Sequence, residues 1–107
     1  MLECKPCHEF TPLLEELYQD MNADSKVFEV VFFSGDAKEE QFKTYFSKMV
    51  WPALPWKDAR IKALATEIKI KGVPHLLAIK RDGTILQNSA VKAVTEGGPE
   101  YVQELLD

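Results

Sequence analysis

Seven consecutive residues, Val27-Phe28-Glu29-Val30-Val31-Phe32-Phe33, carry six side chains that are β-branched or aromatic. Those side chains lose rotamer freedom in a helix and fit a pleated surface. The run reads as a strand. Its apolar residues are nearly continuous, as in a strand buried on both faces, although so short a run does not by periodicity alone separate strand from buried helix. A strand covered on both faces needs a layer of structure on each side.

The flanking sequence supplies those layers. From Cys4 to Met21, Leu13, Leu14, Leu17, Tyr18 and Met21 recur at helical spacing, with Pro12 as an expected kink. After the turn Ser34-Gly35-Asp36, Lys38 to Met49 places Phe42, Tyr45, Phe46 and Met49 on one helical face. Val50 to Trp56 reads as a loop because of Pro52 and Pro55. Asp58 can cap a helix with an Ile61, Leu64, Ala65, Ile68 stripe that ends at Gly72-Val73-Pro74. His75–Lys80 and Thr84–Asn88 read as strands joined by the hairpin turn Arg81-Asp82-Gly83, and Glu100–Leu106 as a final helix. Strands alternating with helices, plus a terminal hairpin, specify an α/β domain with a mixed sheet, expected to be a single domain over residues 1–107.

Composition narrows the function. A formal charge of −4 argues against nucleic acid held on a strongly basic surface. The longest apolar runs, Val30–Phe33 and Leu76–Ile79, are far too short to span a membrane. No basic and then apolar leader opens the sequence, so a cytoplasmic location is expected. Two cysteines do not make a disulfide scaffold; in a cytosolic protein such a pair is more often redox-active or metal-binding.

Those cysteines stand in Cys4-Lys5-Pro6-Cys7, at a helix start. Two thiols at this spacing can open and close a small disulfide ring. The helix N-terminus and the Lys5 cation favour thiolate at Cys4, and Pro6 stiffens the turn. In this chemistry Cys4 attacks a partner disulfide and Cys7 resolves the mixed disulfide. Other readings stay open at this level. With His8 and His75 the pair could form a zinc site, although no second Cys pair exists; no metal is expected. Cys4 to His8 also satisfies a haem-attachment pattern, and two buried thiols can simply be inert.

Further residues carry a family resemblance. Pro12 lies eight residues after Cys4, and Val73-Pro74 stands before a strand and an Asp-Gly hairpin. With the Cys-x-x-Cys, these resemble the thioredoxin fold. The segments Phe28–Asp36, Glu40–Met49, Phe10-Thr11-Pro12 and Trp51-Pro52-Ala53-Leu54-Pro55-Trp56 are similar to its tryparedoxin and nucleoredoxin branch. The resemblance implies a three-layer α/β/α architecture and reduction of protein disulfides such as those of peroxidases, with electrons from an upstream dithiol or reductase. It implies Cys4 as nucleophile, Cys7 as resolving thiol and Pro74 as a cis-proline. Beside that proline the Val73 backbone would pair with an extended substrate, and Lys5, Pro6 and Trp51 would flank it, with simple packing of the Pro-rich loop the equal alternative for Trp51 and Trp56. No bound cofactor is required, because the Cys4–Cys7 couple carries the electrons. The competing functional class is a non-catalytic or remnant interaction domain of the same fold.

Three departures stand out. Glu3 occupies the position where the branch carries Trp; a nearby carboxylate favours thiol over thiolate. His75 replaces the usual Thr after the proline and is read as a strand-entry residue ahead of a titratable group near the site, while Asp36 is read as the cap of the next helix ahead of a residue pointing toward the site. The largest departure is that only Met1-Leu2-Glu3 precede Cys4. Family members place a central strand there, and three residues cannot form one. The domain is therefore expected to be N-terminally shortened, with strand edges that invite self-association.

Overall fold

The structure is a computed structural model describing residues 1–107. Helix α1 spans Lys5–Met21, with Cys4 as its N-cap: the Cys4 sulfur accepts the Cys7 N–H at 3.2 Å. Pro6 lies in the first turn, where its missing N–H has no helical partner to lose. The helix continues through Pro12 and buries Cys7, Phe10, Leu14, Leu17 and Tyr18 along one face. Asn22 ends it and accepts the Val27 and Phe28 amides on its side-chain oxygen, starting the extended run.

Helix α2 spans Glu39–Phe46, shorter than the periodic pattern, because Met49 N–H turns back to the Phe46 carbonyl and the Ser47 hydroxyl to the Thr44 carbonyl. Helix α3 spans Ala59–Glu67, and Asp58 caps it as expected by accepting the Arg60 N–H at 2.9 Å. It ends before Gly72, since Lys69 already adopts a left-handed φ of 57°. Strands β1, Ala78–Ile79, and β2, Ile85–Gln87, form an antiparallel pair in which Ala78 faces Gln87. Their hairpin turns at Gly83, with φ of 93°, where a side chain would be strained.

Helix α4 spans Val91–Leu106 and begins well before the expected Glu100. Gly98, at φ 56° and ψ −140°, breaks it ahead of Pro99, so two helical pieces meet at a kink. The Gly97-Gly98-Pro99 sequence hid the first piece, whose Val94 is almost wholly buried. Helices α1 and α4 pack together, and Phe10, Leu14, Leu17, Tyr18, Trp51, Ala90, Val94 and Val102 form the core.

The extended Val27–Phe33 run departs most from the sequence reading. It is not a ladder-forming strand; its one bridge is a parallel contact between Phe32 and Ala53, within the segment read as loop. Nor is it buried on both faces. Phe28, Val30 and Phe32 pack on the core, while Val27 and Val31 are 45% and 46% exposed. The sheet is thus the two-stranded antiparallel hairpin in place of the expected mixed one, and the parallel Phe32–Ala53 bridge stands isolated from it. Only 13 of 107 residues are buried, which makes the α1–α4 contact the principal source of stability.

Two outcomes follow from this packing. Val94→Ala should lower unfolding free energy by about 2 kcal/mol in urea titration, whereas Val27→Ala should change it by less than about 0.5 kcal/mol. Asp58 should titrate at about 2 by carbon NMR, below its ordinary 3.8, because the Arg60 side chain and then its N–H hold the carboxylate. Its folded value is depressed, so the cap contributes fully above the ordinary carboxylate range and is lost as pH falls towards 2. Arg60→Ala should move that titration back upwards.

Candidate active site

Capping geometry makes the two cysteines unequal. Cys4 precedes the first helical turn in extended conformation, partly exposed, while Cys7 points into the core and is 4% exposed. They are joined as a disulfide with Cα atoms 5.2 Å apart. The Cys7 amide donates to the Cys4 sulfur at the N-terminus of α1, an environment that favours thiolate once the bond is open. Lys5 and Pro6 are exposed beside it.

The approach to Cys4 is anchored by a residue assigned a different job from sequence. Asp36 does not cap α2, whose N-cap is Lys38. It is 6% exposed and accepts the Leu2 N–H and the Ser34 hydroxyl, each at 2.8 Å. Its carbonyl accepts the Trp56 indole N–H at 3.0 Å. One residue thus ties the segment before the disulfide to the turn after the extended run and to the Pro-rich loop. A Ser-Gly-Asp turn signals a cap by local chemistry; the distant partners Leu2 and Trp56 leave no local mark.

Residues around α1 complete the surroundings. The Glu3 carboxylate accepts from the Gln41 side chain at 3.2 Å, which draws it towards α2. The His8 ring stands edge-on to Tyr45, centroids 5.0 Å apart, with Nε2 2.5 Å from the Leu2 carbonyl. The Tyr45 hydroxyl pairs with Thr11 at 2.7 Å. Burial pushes that phenol above its ordinary range, and the Thr11 hydrogen bond opposes the rise.

Val73, Pro74 and Cys7 line one groove. The Val73–Pro74 peptide is cis, and the Val73 side chain is 45% exposed. His75 is half-buried and pairs with Asn88 through Nε2 at 3.2 Å, as suits a residue entering a strand. Trp51 lines the same groove, but from its buried side. It is 5% exposed, packs edge-on to Tyr18 and belongs to the core, because its loop folds inward through the Phe32–Ala53 bridge.

Comparison with known proteins agrees with this geometry. The family model described as Thioredoxin-like matches residues 1–85. Probable nucleoredoxin 1 of Arabidopsis thaliana is 37% identical over 92% of this chain and 17% of its own length. Tryparedoxin of Trypanosoma brucei brucei is 37% identical over 87% of this chain and 65% of its own. The solved structure of tryparedoxin II from C. fasciculata superposes with a TM-score of 0.81 at 39% identity, covering 92% of this chain and 65% of that one. Tryparedoxin I from Leishmania major gives 0.81 at 32%, covering 89% and 67%. The chain thus spans under a fifth of that nucleoredoxin and about two thirds of the tryparedoxins. With its disulfide at a helix start, its shortened thioredoxin-like fold and these relatives, the chain belongs to the thioredoxin-like family, in the branch of the nucleoredoxins and tryparedoxins.

Proposed function

We propose that this chain is a thiol–disulfide oxidoreductase that reduces protein disulfides. The observation that carries the reading is the asymmetry of the pair, with Cys4 capping α1 at the surface and Cys7 buried behind it. In the reduced form the Cys4 thiolate attacks one sulfur of a substrate disulfide. A Cys4–substrate bond forms, and the other substrate sulfur leaves as thiolate. Cys7 then loses its proton and attacks the Cys4 sulfur, which restores the Cys4–Cys7 bond and releases the second substrate sulfur. Two electrons and two protons pass to the substrate, and an upstream dithiol or reductase restores the pair.

The sheltered position of Cys7 suits a resolving role, because a bulky partner reaches Cys4 first. Lys5 and Pro6 beside Cys4, and the exposed Val73 with Pro74, offer the surface on which an extended substrate segment would lie. Trp51 would support that surface from within the core rather than touch the substrate. Disulfide proteins such as peroxidases fit as substrates, and the reaction draws on no bound cofactor.

Insulin disulfide reduction with a dithiol donor tests the assignment. Cys4→Ser should fall to the uncatalysed rate. Cys7→Ser should stall as a mixed disulfide with the substrate, seen as a mass increment that dithiothreitol removes. A folded wild-type chain without activity would overturn the reading in favour of a non-catalytic interaction domain. In the reduced protein, Cys4 should be alkylated at lower pH than Cys7; coincident titration of the two thiols would remove the basis for their separate roles.

A further inference from the structure

Charge is unevenly placed along this chain. Residues 57–82 carry seven of the 13 lysines and arginines but only three of the 17 carboxylates, a net +4 within a chain of −4. They comprise α3, the cis-proline segment and β1 with its turn. Between Asp58 and Asp82 the one carboxylate is Glu67. The ion pairs of the chain are Lys26 with Glu29 and Asp58 with Arg60, so no carboxylate neutralises Lys69 or Lys71. Helices α1 and α4 are the reverse, with seven carboxylates against Lys5 and Lys92.

Both lysines stand at the approach to the cis peptide. The Lys69 N–H donates to the Thr66 carbonyl at 3.3 Å, the Ile70 N–H to Ala65 at 3.1 Å, and the Asn88 side chain to the Ile68 carbonyl at 3.1 Å. The segment is thus pinned to α3 and to the residue after β2. Ile70 and Val73 line the same groove as Cys7, yet are 38% and 45% exposed. Lys69 and Lys71 flank Ile70 and are exposed. Lys69 sits at φ 57°, where glycine or asparagine is the ordinary helix terminator. A cation also suits a helix C-terminus, and that account ties Lys69 to stability and not to substrate choice. The carboxylate adjoining Cys4 is engaged elsewhere, since Glu3 accepts from Gln41 of α2.

Resting on the oxidoreductase reading, we propose that Lys69 and Lys71 select acidic protein substrates: the segment that crosses Val73 on its way to Cys4 carries carboxylates that meet these lysines and an apolar side chain that meets Ile70. A long polyanion fits less well, because the carboxylates of α1 and α4 repel it beyond the local cations, whereas a short acidic segment meets only those cations.

Matched peptides test this, each with one disulfide ring flanked by a pair of Glu, Gln or Lys residues. With the dithiol donor of the insulin assay, the Glu form should be reduced with about tenfold higher kcat/KM than the Lys form, through KM. The preference should shrink below about threefold at roughly 0.5 M salt. The double substitution Lys69→Gln, Lys71→Gln should abolish it; a lowered urea midpoint with the preference intact would assign the lysines to helix ending and overturn the proposal. Equal kcat/KM for the peptides in an insulin-active chain would also overturn it and leave the oxidoreductase reading standing, as would a preference that survives the double substitution and disappears in Lys5→Gln. Serine-for-cysteine versions cannot exchange and report binding alone. Their Glu form should bind about tenfold more tightly than the Lys form and shift the Lys69, Lys71 and Val73 amide resonances. Equal binding would overturn the proposal, whereas that binding preference without turnover of any peptide or of insulin would support the acidic-segment site and overturn the oxidoreductase reading alone.

Discussion

The contact between α1 and α4 supports everything else in this molecule. Phe10, Leu14 and Leu17 meet Val94 and Val102 there, and the extended segments pack their inward side chains against the same cluster. Because α1 begins at the disulfide, the rotation that buries Phe10 and Leu14 also turns Cys7 inward and leaves Cys4 at the rim. Packing and redox asymmetry are therefore one fact. A helix that rotated to expose Leu14 would at the same stroke bring Cys7 to the surface.

A second tier of polar contacts holds the disulfide against the rest of the chain. Asp36 binds the residue two before Cys4, the hydroxyl of Ser34 and the ring of Trp56. Thr11 joins α1 to Tyr45 on α2, and the Phe32, Phe42 and Phe46 rings stack beside it at centroid distances of 5.6–6.1 Å. These contacts lie at the Cys4 end of α1. Away from that end, the Val31, Phe33, His75 and Leu77 amides on the two extended segments donate to no backbone acceptor.

Much of this was legible from residue order. The helix of the Cys-Lys-Pro-Cys motif, the Asp58 cap and the Asp-Gly hairpin rest on local rules, and each appears where those rules place it. The errors share a different cause. Val27–Phe33 has the side chains of a buried strand, but a strand needs neighbours, and hydrogen-bonded partners are not encoded in its own residues. The first half of α4 was hidden because Gly97, Gly98 and Pro99 locally favour a break, while burial of Val94 recruits the preceding residues into a helix. Trp51 reads equally well as a surface aromatic or a core one, and only the inward fold of its loop decides.

By itself, then, the sequence determined the helix that follows the Cys-Lys-Pro-Cys turn, the Asp58 cap, the Asp-Gly hairpin and the family resemblance, since these depend on spacing within a few residues. Only the tertiary structure decided which sulfur is outside, that Asp36 anchors the approach to the disulfide, and that the two extended runs flank an open groove instead of closing on each other. The physical reason is that these features depend on contacts between residues far apart in the chain, such as Asp36 with Leu2 and Trp56, which leave no mark on local spacing.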